Sequence, residues 1–237
     1  NKFKMNNINL PPVVKNLLII NVIFFLAKML LSTIDLDYWF GASYLFSPDF
    51  RVWQIITYMF MHANYMHIFF NMFAVFMFGP ILENHWGSKR FINFYLITGL
   101  GALAMQYAVQ TFEVYQITGY FHPNLAELKT VEFTQSTYNT FLGIYGGKMV
   151  GASGAVFGLL VAFGMLYPNV ELMLMFIPVP IKAKYFVSGY VVIEIILGLV
   201  NLQGDSVAHF AHIGGALIGF ILVKLWRNKN TYYDYYD

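Results

Sequence analysis

Apolar residues are concentrated in six long runs, separated by stretches that are polar or rich in turn-forming residues. Each run approaches the roughly 20 residues that an α-helix needs to cross the hydrocarbon core of a bilayer. Gly79-Pro80 ends the second run, and a turn predicted at Pro178 and Pro180 precedes the fifth. The pattern therefore predicts an all-α membrane protein with six transmembrane helices. The runs cover approximately residues 13–34, 53–80, 89–110, 149–168, 184–201 and 207–226.

These runs divide the chain into three parts: a short N-terminal segment (1–12), a six-helix membrane domain (13–226) and a tail (227–237). Two connections within the domain, 35–52 and 111–148, are longer than the topology requires. The first is rich in aromatic and apolar side chains, so we expect it to lie in the membrane interface. The second is more polar and contains no recognisable motif.

The basic residues give the expected orientation. If both termini are cytoplasmic, ten lysines and arginines fall on the inner side and three (Arg51, Lys129 and Lys148) on the outer side, with Lys28 inside the first span. Cytoplasmic segments of membrane proteins carry an excess of Lys and Arg. We therefore expect both termini in the cytoplasm, most simply of a cell (inner) membrane. The inner residues are Lys2, Lys4, Lys15, Lys89, Arg90, Lys182, Lys184, Lys224, Arg227 and Lys229.

Composition agrees with a membrane protein and excludes several other classes. Of the 237 residues, 58% are hydrophobic and 11% are charged, whereas about a quarter are charged in a typical soluble domain. The net charge of +2 is not gathered into a basic stripe, which argues against nucleic acid as a partner. The chain has no cysteine, so disulfides, thiolate metal sites and a cysteine nucleophile are excluded.

A few polar side chains interrupt the apolar spans. Such groups are expensive in a membrane and mark functional sites by default. A serine hydrogen-bonded to a histidine is a base-activated nucleophile, and Ser153 and His212 lie at similar depths in the fourth and sixth spans. The interrupting residues are His62, His67 and Asn71 in the second span, Ser153 in the fourth, and His209 and His212 in the sixth.

Acyl transfer by such a pair also needs donors aimed at the developing oxyanion. His67 and Asn71 are four residues apart, so they project from one helix face. Their N–H groups, and the backbone N–H of Ser153, can serve this purpose. No aspartate lies within a span, and Glu194 is the one acid there. We therefore predict a Ser153–His212 dyad with no carboxylate on the far nitrogen of His212.

Glycines surround the proposed nucleophile and base. Gly151 and Gly154 flank Ser153, where the lack of side chains allows a substrate or another backbone to approach closely. Small residues at four-residue intervals let membrane helices pack in close contact. Gly154 and Gly158 have this spacing, as do Gly215 and Gly219 beside His212. We therefore predict that the fourth and sixth helices touch through these glycines.

Other interpretations of the same residues stay open at this point. Ser153 is also suited to a plain helix contact, and His67 with Asn71 to an interhelical hydrogen-bond pair. The histidines invite a metal site, although no carboxylate or thiolate stands at ligand spacing, and we predict no metal. Glu194 suits a protonated hydrogen bond, the rim of a substrate opening or a third catalytic position. His209 is expected at the interface, and a channel or transporter is the rival class of function.

Three segments, HANYMHIFFNM, GASGAVFGLL and AHIGGALIG, occur in that order on the second, fourth and sixth predicted helices. In this combination the chain resembles the rhomboid intramembrane serine proteases. The resemblance implies a six-helix rhomboid-like bundle, with Ser153 and His212 catalytic, His67 and Asn71 at the oxyanion and His62 supporting them. It also implies transmembrane protein substrates, a lipid environment and no cofactor. Rhomboid-like proteins that bind substrates without cleaving them form a further alternative.

The sequence departs from the rhomboid pattern at two places. Many rhomboids carry a Trp-Arg pair in the first outer loop, where this chain has Trp53-Gln54 with Arg51 nearby. Some have a tyrosine four residues after the nucleophile that stacks near the catalytic histidine. This chain has Phe157, which preserves the ring packing and lacks the hydroxyl.

Overall fold

A computed structural model describes residues 10–174, 177–200 and 208–230. Most of the predicted N-terminal segment, the last seven residues of the tail and the connection 201–207 lie outside the described residues. A 3₁₀-helix, Tyr58–Phe60, follows α3 directly. The helices are α1 (Pro12–Leu30), α2 (Leu36–Phe40), α3 (Gln54–Thr57), α4 (Tyr65–Trp86), α5 (Ser88–Thr118), α6 (Leu125–Leu128), α7 (Gln135–Gly146), α8 (Ser153–Leu166), α9 (Ala183–Val200) and α10 (His209–Asn230).

The chain is a mostly helical multi-pass membrane protein, as the sequence predicts. Among the described helices, α1, α4, α5, α9 and α10 are long and apolar enough to cross a membrane. The predicted fourth span is α8, which is apolar but has only 14 residues. At about 1.5 Å per residue it extends about 21 Å, less than the thickness of the hydrocarbon core.

The short helix α8 lies in the centre of the bundle. It packs against α4, α5, α9 and α10, while α1 packs mainly against α4. Every residue from Gly154 to Gly164 is buried. Since neighbouring helices surround this stretch, it is shielded from lipid. Its first residue, Ser153, is therefore fixed by packing on several sides.

The second predicted span is wrong at both ends. The membrane helix α4 begins at Tyr65 because Asn64 caps it, accepting a hydrogen bond from the His67 N–H at 2.9 Å. The part of the predicted span before it forms α3 and the 3₁₀-helix. The helix then continues through Pro80 to Trp86. Proline is tolerated inside membrane helices because neighbouring groups satisfy the backbone groups that it frees.

Two other predicted connections contain more structure than expected. Within 111–148, α5 continues to Thr118 and is followed by α6 and α7, each starting with a capping box. The predicted turn at Pro178 and Pro180 is instead part of a hairpin, in which β3 (Glu171–Leu174) pairs antiparallel with β4 (Ile177–Lys182). A two-stranded hairpin has only edge strands, so proline, which lacks an N–H, can be accommodated there.

The first long connection is tied to the segment that precedes the nucleophile. Strand β1 (Ala42–Ser43) pairs antiparallel with β2 (Lys148–Met149). The Lys148 ammonium donates a hydrogen bond to Asp49 at 3.1 Å, and the Tyr38 hydroxyl donates to the same carboxylate at 3.1 Å. These contacts brace β2, which ends four residues before α8 begins.

The Asp49–Lys148 contact predicts a pH-dependent stability. The hydrogen bond from Lys148 holds the pKa of the Asp49 carboxyl below its ordinary value. A carboxyl whose pKa is lower in the folded state stabilises the fold above its unfolded pKa of about 3.9, and this contribution is lost as pH falls through the folded pKa. The difference in Tm between wild type and Asp49→Asn should therefore shrink as the pH is lowered from about 6 to about 3. A constant difference would contradict this origin.

Lys28, a charged residue in the apolar helix α1, has fixed partners. Its ammonium donates to Asp37 at 2.6 Å and to the His62 carbonyl at 2.9 Å. Lys28→Met should leave both acceptors unpaired and lower the free energy of unfolding by about 1–2 kcal/mol. Thermal unfolding in detergent measures this, with the exposed Lys15→Met as the matched control. Equal Tm values for the two variants would refute the contribution of these bonds.

Candidate active site

The local backbone presents Ser153 at the first position of α8. Gly151 just before it has φ +128°, a conformation that side chains other than glycine rarely adopt. Its N–H donates to the Tyr58 carbonyl at 2.9 Å, which fixes the approach to the helix. Ser153 itself is half-buried, so its hydroxyl is reachable from outside the core.

His212, in the first turn of α10, meets this hydroxyl. Its Nε2 lies 2.8 Å from Ser153 Oγ, so the predicted contact is confirmed. The Phe157 ring stacks on the imidazole with ring centroids 4.4 Å apart and planes 13° apart. Phe157 lies one turn after Ser153 on α8, so one helix contacts both the edge and the face of the imidazole. This geometry suits proton transfer from a hydroxyl to the ring.

The prediction that no carboxylate would contact His212 is wrong. Glu194 Oε2 lies 2.9 Å from His212 Nδ1, the nitrogen remote from Ser153. Glu194 is buried on α9, which packs against α10. The sequence shows that Glu194 lies within a span, but it does not show which face of α9 meets α10. The contact forms between two helices.

The expectation that His209 would be interfacial is also wrong. His209 is buried, and its Nδ1 lies 2.6 Å from the same oxygen, Glu194 Oε2. His209 and His212 are three residues apart on α10, so both face α9. One carboxylate oxygen thus contacts two imidazoles.

The proposed oxyanion residues lie on α4, and His67 borders Gly151. A Cβ built on Gly151 would lie 2.6 Å from His67 Nε2 and 3.6 Å from Ser153 Oγ, so both groups border the same glycine. Asn71 is buried, and its amide donates to the His67 carbonyl at 2.9 Å. His62 is fully buried, and its ring meets that of His67 edge to face at 5.1 Å. The structure thus brings His67 close to Ser153, with Asn71 and His62 on either side of His67 in sequence.

The predicted glycine contact between α8 and α10 is confirmed. A Cβ on Gly215 would overlap the carbonyl oxygen of Gly154, and a Cβ on Gly219 would lie 2.8 Å from Gly158 Cα. The same faces of α8 also meet α5, where Gly154 contacts Ala102. The backbones of α8 and α10 therefore approach as closely as glycine permits, beside Ser153 and His212.

One group of side chains in the described part of the chain has the geometry to hold a metal ion. The ligand atoms of Glu194, His209 and His212 all lie within 4.8 Å of one another. Two histidines and a glutamate can bind zinc. Here, however, the hydrogen bonds at 2.6 and 2.9 Å already join these atoms. A metal would have to displace the protons in both bonds.

Comparison with known proteins places this bundle in a family. The model of the rhomboid domain matches residues 49–229, most of the chain. The chain belongs to the rhomboid family. It is 29% identical over 192 residues to Rhomboid protease AarA of Providencia stuartii, covering 77% of this chain and 59% of that protein.

Two further rhomboid proteins show the breadth of this similarity. The chain is 25% identical over 175 residues to Putative rhomboid protease YdcA of Bacillus subtilis, covering 73% of this chain and 68% of that protein. It is 32% identical over 170 residues to RHOMBOID-like protein 6, mitochondrial, of Arabidopsis thaliana, covering 72% and 42% respectively. The chain therefore spans less than two thirds of the bacterial AarA and of the plant protein.

In this rhomboid, Gln54 stands where many rhomboids have the arginine of a Trp-Arg pair. The hydrogen bonds that Gln54 makes were not predicted from the sequence. Gln54 is fully buried, and its Oε1 accepts from the backbone N–H groups of Arg51 at 3.0 Å and Ser43 at 3.3 Å. Its Nε2 donates to the carbonyls of Tyr38 at 3.2 Å and Asp49 at 3.3 Å. The Gln54 amide thus organises the first long connection, residues 35–52.

Arg51 has a separate role in the same loop. Its Nη1 donates to the carbonyls of Pro48 and Phe50, both at 2.9 Å. The arginine therefore bonds the loop next to itself, while the crossing bonds come from Gln54. The sequence offered one signal for this, a glutamine directly after Trp53 where rhomboids often have arginine.

Proposed function

We propose that this rhomboid is an intramembrane serine endopeptidase that cuts transmembrane segments of membrane proteins. The observation that carries the proposal is the 2.8 Å contact between Ser153 Oγ and His212 Nε2 inside a membrane-spanning bundle. A hydroxyl in this contact can lose its proton to the imidazole as it attacks a carbonyl carbon. The names of several relatives include the word protease, which agrees with this chemistry.

The reaction proceeds in two steps. Ser153 Oγ attacks the peptide carbonyl, and its proton passes to His212 Nε2. The imidazolium then gives this proton to the leaving nitrogen as the C–N bond breaks, leaving an acyl-enzyme on Ser153. In the second step water attacks the ester, and one water proton passes through His212 to Ser153 Oγ as the C–O bond breaks. The new carboxylic acid departs and loses its remaining proton to solvent.

Charge on the carbonyl oxygen needs donors in both steps. The Ser153 N–H lies in the first turn of α8, where backbone N–H groups lack partners within the helix and the helix dipole favours negative charge. His67, which borders the same glycine as Ser153 Oγ, supplies a ring N–H. Asn71 has a second amide hydrogen besides the one donated to the His67 carbonyl. These three groups form the proposed oxyanion site.

The substrate reaches Ser153 from the side. A helical substrate must unwind locally first, because its carbonyls are hydrogen-bonded and shielded within the helix. We place its entry between α4 and α9, with Ser153 toward the outer face and both termini in the cytoplasm of a cell membrane. Water for the second step then comes from the outer side. Both helices expose large apolar side chains, among them Phe69, Phe70, Ile193 and Ile196.

A reconstituted cleavage assay tests the proposal. The purified protein is placed in liposomes with a labelled single-span protein, and wild type is compared with Ser153→Ala and with Ser136→Ala, an exposed serine on α7. Wild type and Ser136→Ala should cut the substrate, and Ser153→Ala should not. Equal binding without cleavage by all three would identify a non-catalytic rhomboid. Solute flux without cleavage would indicate a transporter.

Asn71→Ala should lower turnover more than it weakens substrate binding, because the oxyanion exists only in the transition state and intermediate. Loss of one oxyanion donor typically costs about 10²–10³ in rate. Steady-state kinetics should show this fall in kcat with KM nearly unchanged. The exposed Asn93→Ala is the matched control. If Asn71→Ala turns over like this control, Asn71 only ties neighbouring turns of α4 together.

A further inference from the structure

The contact between α9 and α10 contains an acid that the proposed mechanism has not used. Glu194 is the one acidic residue of α9 and is 5% exposed. Its Oε2 lies 2.6 Å from His209 Nδ1 and 2.9 Å from His212 Nδ1. From Oε2, a continuous chain of contacts leads through the His212 ring to Ser153 Oγ, 2.8 Å from Nε2.

An acid in an apolar span is expensive to insert, so its partners indicate its purpose. A purely structural carboxylate would be satisfied by any donor on a neighbouring helix. Glu194 instead meets the one nitrogen of His212 that does not face Ser153. The hydrogen bond made by one ring nitrogen decides which tautomer the other presents. Glu194 is therefore placed to keep a proton on Nδ1 and a free lone pair on Nε2.

We propose that Glu194 is a positioning residue for His212, and that His209 fixes the Glu194 carboxylate in place. The proposal rests on the proposed peptidase function and adds a third and a fourth member to its proton-transfer group. In the ground state, His212 Nδ1–H donates to Glu194 Oε2 while Nε2 accepts from the Ser153 hydroxyl. When Nε2 takes the serine proton, the carboxylate stabilises the imidazolium and keeps its own charge.

His209 acts on the carboxylate. Its Nδ1 contacts Oε2 at 2.6 Å, so His209 holds the same carboxylate oxygen that His212 contacts at 2.9 Å. The His212 ring then has three constraints: Ser153 at Nε2, Glu194 at Nδ1 and Phe157 stacked on its face. Loss of Glu194 removes the contact at Nδ1, which is the constraint that sets the tautomer of His212.

The test compares Glu194→Gln, His209→Phe and the exposed control Glu132→Gln in the liposome cleavage assay. An amide at position 194 can donate to Nδ1 and favour the wrong tautomer, a change that costs about 10⁴ in a soluble serine protease. Glu194→Gln should therefore lower kcat by about 10²–10⁴ with KM nearly unchanged. His209→Phe removes one hydrogen bond to the carboxylate and should lower kcat about tenfold. Glu132→Gln should match wild type.

Two further measurements separate positioning from other roles. A fluorophosphonate labels a base-activated serine without a peptide substrate, so its rate on Ser153 should fall together with kcat in Glu194→Gln. Proton NMR of histidine-labelled protein in micelles should show a downfield His212 Nδ1–H signal that Glu194→Gln removes. Unchanged labelling with slower cleavage would make Glu194 part of the substrate entrance and overturn the proposal. Activity that a chelator abolishes would assign the group to a metal and overturn it as well.

The same variants distinguish a failure of the positioning role from a failure of the proposed peptidase function. If Ser153→Ala does not cleave the substrate but Glu194→Gln has the wild-type kcat, the positioning role alone is overturned. A Ser153→Ala that cuts like wild type would overturn the peptidase and the positioning role together. A lower Tm in Glu194→Gln, with the Nδ1–H signal retained, would show that Glu194 is structural and overturn the proposal.

Discussion

Ser153→Ala and His212→Ala are each expected to reduce cleavage by at least about 10³-fold, and the double variant is expected to be no slower than either one. Nucleophile and base act as a unit, so removing one member makes the other useless, and their losses do not add. The reason in this protein is the single 2.8 Å contact through which the serine proton leaves. Rates of single and double variants on one labelled transmembrane substrate measure the effect.

Matched controls for this experiment lie at exposed positions away from Ser153 and His212. Ser136→Ala and His122→Ala make the same substitutions at exposed positions and should cut at the wild-type rate. If the losses from Ser153→Ala and His212→Ala multiply in the double variant, the two residues act independently. That result would contradict a shared proton-transfer step.

Gly215→Leu is expected to lower activity by about 10²-fold or more without altering a catalytic atom. Its new Cβ would overlap the Gly154 carbonyl, so α10 must move away from α8. A shift of about 1 Å in catalytic geometry can cost about 10² in rate. Gly158→Leu should act similarly, because a Cβ there would lie 2.7 Å from Thr98 Cβ on α5. Cleavage rates, with membrane insertion checked for each variant, measure this.

Gly143→Leu is the control for the size of the substitution, since a Cβ at Gly143 would meet nothing within 4 Å. It should cleave like wild type. Wild-type cleavage by both Gly215→Leu and Gly158→Leu would show that the glycine contact does not hold Ser153 and His212 in register.

The parts of the fold that the sequence predicted depend on local patterns. Apolar length locates the membrane helices, and the four-residue glycine spacing locates the contact between α8 and α10. The errors come where a local signal is overridden. Gly79-Pro80 is typical of a helix end, yet α4 continues to Trp86 because the bundle around it tolerates proline.

At the candidate site, too, one contact could be predicted from local patterns and another could not. Ser153 and His212 could be paired from motif order and depth, because both lie near the start of spans with the same direction. The Glu194 contact could not be found this way, because it depends on the rotation of α9 against α10. A partial signal was present: His209 and His212 are three residues apart, and α9 contains a single acid. Together these features favour a shared partner for the two histidines.

The most direct measurement of the central claim is to locate a covalent adduct. Purified protein in liposomes is treated with a fluorophosphonate, digested, and mapped by mass spectrometry, with His212→Ala in parallel. The account predicts one modified residue, Ser153, and loss of the modification in His212→Ala. Modification of a different residue, or an unmodified Ser153 in a preparation that cuts its substrate, would contradict it.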